Sequence, residues 1–199
     1  MSGAATPLTG EQPPGDERVR LFVALELPDD ARETLVRWRG RVPGGAERLR
    51  LIASDDLHAT LCFLGWRSAG DISAIRDTCN VVAGRTAPEL VLGEAIWLPP
   101  RRPRVLAVSL QDRSGSLAAV QSALSEALAA GGWYEPEKRA HLAHVTVARA
   151  GRGFRTPRGE LPAPPALEFR ASRVTLYRSR LLRTGARYEP LGAVELSTG

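Results

Sequence analysis

Lysine is almost missing from this chain: Lys138 is the only one, so the 27 basic residues are otherwise arginine. Cysteine is scarce too. Two of them, Cys62 and Cys79, are too few for a disulfide framework and share no metal-ligand spacing, so both are expected as reduced thiols in the core. No run approaches the eighteen apolar residues of a membrane-spanning helix. The opening segment, MSGAATPLTGEQPPGDE, has neither the basic flank nor the apolar stretch of a signal peptide. These absences lead us to expect a soluble cytoplasmic protein with no membrane partner.

What is present fits a folded domain, since 43% of residues are hydrophobic and 25% charged. The net charge is +5, but Glu11, Asp16 and Glu17 fall in an opening segment without Lys or Arg. The remainder is correspondingly more basic. Such a surplus favours a polyanionic partner such as RNA, although an Arg-, Ala-, Gly- and Pro-rich composition also accompanies a GC-rich genome.

Residues 1–17 lack hydrophobic periodicity and read as a flexible tail. The domain is expected over 18–199. Strand-like runs occupy 18–27, 49–52, 57–64, 90–98, 105–110, 144–148 and 169–177, with helix-like runs at 31–40, 72–83 and 115–130. Leu35, Val36 and Trp38 are the expected buried positions of the first helix. The second half repeats the first: H58-A-T-L-C-F-L-G65 aligns without a gap on H144-V-T-V-A-R-A-G151. Residues 89–98 align on 168–177, and FVALEL, VLAVSL and LGAVEL share one pattern. This order implies an α+β, bilobal, duplicated domain: two mostly antiparallel sheets flanking a central cleft, with helices outside.

The aligned segments each carry His-x-Thr, at His58-Ala59-Thr60 and His144-Val145-Thr146. With eleven threonines in 199 residues, two of three histidines followed by Thr at that spacing has a chance probability of roughly 0.01. In a strand, residues two apart share a face, so each His and its Thr point together. Two such units across a cleft suit phosphodiester cleavage. One imidazole takes a proton from attacking water, the other supplies one to the leaving oxygen, and the hydroxyls donate to the non-bridging oxygens. Neither a metal nor a cofactor is needed. The third histidine, His141, reads as structural; a metal site with His144 lacks further ligands nearby.

LFVALELP, LHATLCFLG, HVTVARA and GARYEPLGAVEL together resemble the RNA 2',3'-cyclic phosphodiesterases, also called 2'-5' RNA ligases, of the two-histidine phosphoesterase superfamily. The resemblance implies hydrolysis of a terminal 2',3'-cyclic phosphate on RNA or an oligonucleotide to a 2'-phosphate, with weak reverse ligation. It also implies His58 as acid, His144 as base, Thr60 and Thr146 on the phosphate, and substrate-binding roles for Phe63 and Arg149, each five residues after its histidine. Strict strand alternation would put Phe63 and Arg149 on the face opposite the histidines, so this transfer requires a bulge. Two other readings stand beside it: a sister enzyme acting on cyclic nucleotide or ADP-ribose-type cyclic phosphates, and a non-catalytic RNA-binding module. Loops 99–103 and 151–165 are candidates for substrate choice. A monomer is the favoured state.

Overall fold

The computed structural model describes residues 17–42, 49–151, 160–182 and 185–199. The segment read as a tail lies outside them except for Glu17, whose carbonyl accepts from Ala69 N at 2.8 Å. Strand β1 (Arg18–Glu26) alternates, burying Val19, Leu21, Val23 and Leu25 on one face. Helix α1 (Asp29–Arg39) follows, with Asp29 and Asp30 in its first turn and Arg37 and Arg39 in its last, as the helix dipole favours. It buries Ala31, Leu35 and Trp38, a single stripe at spacings of four and three. Val36, expected inside, is only partly buried at the stripe's edge.

Next come β2 (Leu49–Leu51), β3 (His58–Ser68), α2 (Ile72–Thr78), β4 (Glu89–Leu98) and β5 (Val105–Asp112). Then follow α3 (Ser116–Ala130), β6 (His144–Ala150), β7 (Glu168–Arg170), β8 (Arg173–Leu182) and β9 (Gly185–Glu195). Helix α2 is shorter than the expected 72–83. Its continuation, Cys79–Val82, tightens into a 3-10 turn, where Thr78, Asn80 and two valines are poor helix formers. No helix among the described residues is long and apolar enough to cross a membrane.

The α+β class and antiparallel pairing are as expected, but two separate sheets are not. The strands form one nine-stranded sheet in the order β7-β4-β5-β6-β3-β1-β8-β9, with β2 paired to β6. Its middle is a seam: β3 and β6 register through one pair, Ala59 with Val145. Each side of the seam draws strands from both halves of the chain, because β4 crosses to join β5 and β6 while β8 returns to β1.

The stretch expected as one strand over 169–177 is really two, at opposite ends of this order. Only Ala171 and Ser172 separate β7 from β8, and three residue steps span about 10 Å at most. The sheet must therefore curl until its ends approach. Bonds from Ala87 N to Ser197 O (2.8 Å) and from Ser197 N to Arg85 O (2.8 Å) join the segment before β4 to the one after β9 and hold the ends there.

One face of the sheet is lined by the main core, with α3 lying against β3 and β5, α2 against β9 and α1 against β6. Ala59 and Val145 point into this core, both fully buried. Cys62 and Cys79 lie there too, unbridged, with burial pushing both thiols up to about 12. At the seam Ala59 has no room for a larger side chain. Ala59→Leu should cost about 1–3 kcal/mol by overpacking, read as a lower urea midpoint; an unchanged midpoint would show that the seam tolerates expansion.

Candidate active site

Because Ala59 and Val145 point into the core, their neighbours point away from it. His58, Thr60, His144 and Thr146 therefore emerge together on the other face, all partly buried. The seam brings the two His-x-Thr units side by side.

The strands then depart from regular alternation at the same place in each unit. Opposite β1, Ala24 pairs with Thr60 but Val23 pairs with Cys62, leaving Leu61 as an extra residue. Opposite β5, Ala107 pairs with Thr146 but Leu106 pairs with Ala148, leaving Val147 extra. Each bulge buries two consecutive residues, Leu61 with Cys62 and Val147 with Ala148. The carbonyls around them find partners, as buried backbone groups must. Thr60 O accepts from His141 Nε2 (2.9 Å) and Leu61 O from Gln121 Nε2 (3.4 Å). Val147 O accepts from Ile52 N (3.1 Å) and from the Arg39 guanidinium (3.4 Å). His141, expected to be structural, thus ties the approach of β6 to the His-x-Thr segment of β3.

The bulges reverse the side-chain parity beyond them and supply what the transfer of Phe63 and Arg149 required. Phe63 pairs with Phe22 on the histidine face, is 48% exposed, and stacks under the Arg20 guanidinium at 4.6 Å. Arg149 is near enough to His58 that its charge opposes protonation there. Among the described residues Arg149 has no carboxylate partner. Of the two candidate loops, 99–104 joins β4 to β5, with Arg104 O accepting from Ala150 N at 2.8 Å. Most of the other, residues 152–159, lies outside the described residues.

Both histidines are held alike. His58 Nδ1 lies 2.7 Å from Asp56 O, and His144 Nδ1 lies 2.7 Å from Leu142 O. A carbonyl can only accept, so Nδ1 carries the proton in each ring. In the neutral form Nε2 is then the open acceptor nitrogen. The His58 ring also packs 4.9 Å from Phe22 and edge-on to Tyr188 at 5.1 Å. Behind them Tyr177 stacks on Phe22 at 5.2 Å and donates to Glu26 Oε1 at 2.9 Å, and Thr175 donates to the same oxygen. Burial and this bond raise the Tyr177 pKa, so the phenol keeps its proton. Burial brings the pKa of His58 down to about 4, against the raising effect of the Asp56 carbonyl, and Arg149 and His144 lower it further.

Sequence reasoning missed Phe22, Tyr177, Tyr188 and Glu26. Tyr188 lies inside the GARYEPLGAVEL segment, but only the curl of the sheet, which sets β8 beside β1 and β9 beside β8, brings it to His58. Among the described residues no group of three or more His, Cys, Asp or Glu side chains converges as a metal site.

A family model described as the 2'-5' RNA ligase superfamily matches residues 27–181. The chain belongs to that superfamily. An Escherichia coli protein named RNA 2',3'-cyclic phosphodiesterase is 32% identical over 183 residues, 88% of this chain and 95% of the relative. A namesake from Methanothermobacter thermautotrophicus is 25% identical and matches along its whole length over 90% of this chain. Among solved superfamily structures, E. coli LigT complexed with 3'-AMP superposes with a TM-score of 0.74 at 28% identity, covering 92% of this chain and all of that one.

The low proton affinity of His58 has two measurable consequences. By NMR its ring should titrate near pH 4, and Arg149→Met should move the midpoint upward by removing a repelling charge; no upward shift would place Arg149 too far away to act. An unfolded histidine titrates near 6.5, so the folded protein binds fewer protons between about pH 6.5 and 4. The stability linked to His58 is full above 6.5 and is lost as pH falls through that window, up to roughly 3 kcal/mol. His58→Gln should flatten this slope in urea unfolding.

Proposed function

We propose that this protein is a metal-independent phosphodiesterase that opens terminal 2',3'-cyclic phosphates on RNA to 2'-phosphates. The observation that carries this reading is the pair of His-x-Thr units on one face, each imidazole anchored at Nδ1 and open at Nε2. Relatives named RNA 2',3'-cyclic phosphodiesterase, matched over about nine-tenths of this chain, support the substrate class. We assign the activity to the cytoplasm.

One neutral Nε2 accepts a proton from water as its oxygen attacks phosphorus. The other ring, protonated, donates from Nε2 to the departing 3'-oxygen. Thr60 and Thr146 donate hydrogen bonds to the non-bridging oxygens, Arg149 pairs with the phosphate, and Phe63 stacks on the terminal base. A 5'-hydroxyl in place of water would form a 2'-5' linkage through the same geometry.

The family resemblance gives His58 the acid's part and His144 the base's. In the free protein burial and Arg149 keep His58 neutral near pH 7. A phosphodiester anion lodged beside Arg149 counters that repulsion and raises the affinity of His58 for a proton. As kcat reports the bound state and kcat/KM the free one, the alkaline limb of kcat should lie at higher pH than that of kcat/KM.

Turnover of an RNA ending in a 2',3'-cyclic phosphate should persist in EDTA and fall by roughly 10²–10⁴ in either His58→Ala or His144→Ala. Loss in EDTA with recovery on adding a divalent ion would overturn the metal-free mechanism. With bis(p-nitrophenyl) phosphate, whose leaving group needs no proton, His58→Ala should lose far less than His144→Ala. The opposite order would exchange the two roles.

A further inference from the structure

Beside the histidines lies a hollow of about 140 Å³ that the mechanism above leaves unused. Arg50, Leu51, Asp56, Arg149, Gly185 and Tyr188 line it. It is continuous with the site, since Tyr188 touches the His58 ring and the Asp56 carbonyl holds His58 Nδ1. It is also far smaller than the several hundred Å³ of a site for a drug-sized ligand, so it suits one group of a substrate rather than a whole nucleotide.

The charges of this hollow are arranged against the ordinary interests of the sheet. Arg50 on β2 stands directly opposite Arg149 on β6, and like charges facing each other across a strand pair are destabilising. Among the described residues no carboxylate pairs with either. The Arg50 guanidinium lies along Gly185, where the Cβ of any other residue would come within 3.6 Å of it and the backbone φ of +144° favours glycine. No side chain at that position screens its flank. Among the described residues Asp56 is the only acid of the lining; burial and Asp55 raise its pKa, while Arg187 acts in the opposite direction. Two facing guanidinium groups without carboxylate partners call for an anion from outside the chain.

Resting on the reading of the site as a nuclease of cyclic phosphate ends, we infer that this hollow is a subsite for the next phosphate along the strand, the 5'-phosphate of the terminal nucleotide, with Arg50 as its ligand. Arg149 is then shared between the scissile phosphate and this one. The subsite makes the enzyme select a nucleotide within a strand over a free nucleoside cyclic phosphate, with no need to read base sequence.

The test compares adenosine 2',3'-cyclic phosphate with the same compound bearing a 5'-phosphate. For the natural protein kcat/KM should favour the 5'-phosphorylated compound by roughly ten-fold, the size of one charge-assisted hydrogen bond. Arg50→Gln should erase that preference, Arg50→Lys should keep part of it, and the salt dependence of log kcat/KM for the 5'-phosphorylated compound should weaken by about 0.7 in slope in Arg50→Gln. Equal rates for the two compounds in the natural protein, or a preference that survives Arg50→Gln, overturn the subsite and leave the phosphodiesterase reading standing. A loss of equal size on both compounds in Arg50→Gln makes the residue structural and overturns it as well. Hydrolysis of neither compound while an RNA ending in a 2',3'-cyclic phosphate is turned over shows that a 5'-phosphate alone confers nothing and overturns the subsite; no turnover of that RNA either overturns the parent reading and the subsite with it.

Discussion

A single backbone pair, Ala59 with Val145, joins the two sides of the sheet, and the geometry of the candidate site hangs on it. The pair is buried and its neighbours are not, so one register decides that two histidines and two threonines share a face. A slip of one residue in either strand would turn that strand's His-x-Thr pair into the core and present apolar residues instead. The small side chain of Ala59 and the β-branched Val145 let the strands meet here without a wide gap.

The bulges that follow are the second constraint, and they explain how the histidines and threonines come to share a face with Phe63 and Arg149 on short strands. Without them Phe63 and Arg149 would point into the core, where an unpaired guanidinium is costly. Leu61 and Val147 absorb one residue each, the freed carbonyls are taken by His141, Gln121, Ile52 and Arg39, and the chain turns outward. The residues proposed for catalysis and for substrate contact thus come from one seven- to eleven-residue strand on each side of the seam.

Much of this was legible in the sequence. The His-x-Thr repeat named the four central residues because strand periodicity is a short-range rule, and the gap-free alignment of 58–65 on 144–151 marked them as equivalent. Even the bulges have a signature, in the consecutive apolar pairs Leu61-Cys62 and Val147-Ala148 that break alternation just past each threonine. The curl of the sheet was hidden. It depends on which strand pairs with which across more than a hundred residues, so the break at Ala171–Ser172 looked like the middle of one strand. For the same reason Tyr177, Tyr188 and Glu26 could not be assigned to the site, since β8 and β9 reach it only through long-range pairing.

The paired His-x-Thr site is symmetric in its chemistry and asymmetric in its surroundings, and on the proposed reading the asymmetry is what allows it to work in one direction. Two identical imidazoles would compete for one proton on equal terms, since a positive charge on either opposes charge on the other. Here one ring, His58, is enclosed by Phe22 and Tyr188 with Arg149 nearby, and its proton affinity is low. The corresponding positions Phe63 and Arg149 differ in the same sense, one offering a flat apolar face and the other a fixed charge. A cyclic phosphate end has that same polarity, a base on one side and a phosphate on the other. The seam makes the two units neighbours, and on the proposed reading the difference in what surrounds them gives the substrate a single orientation between them.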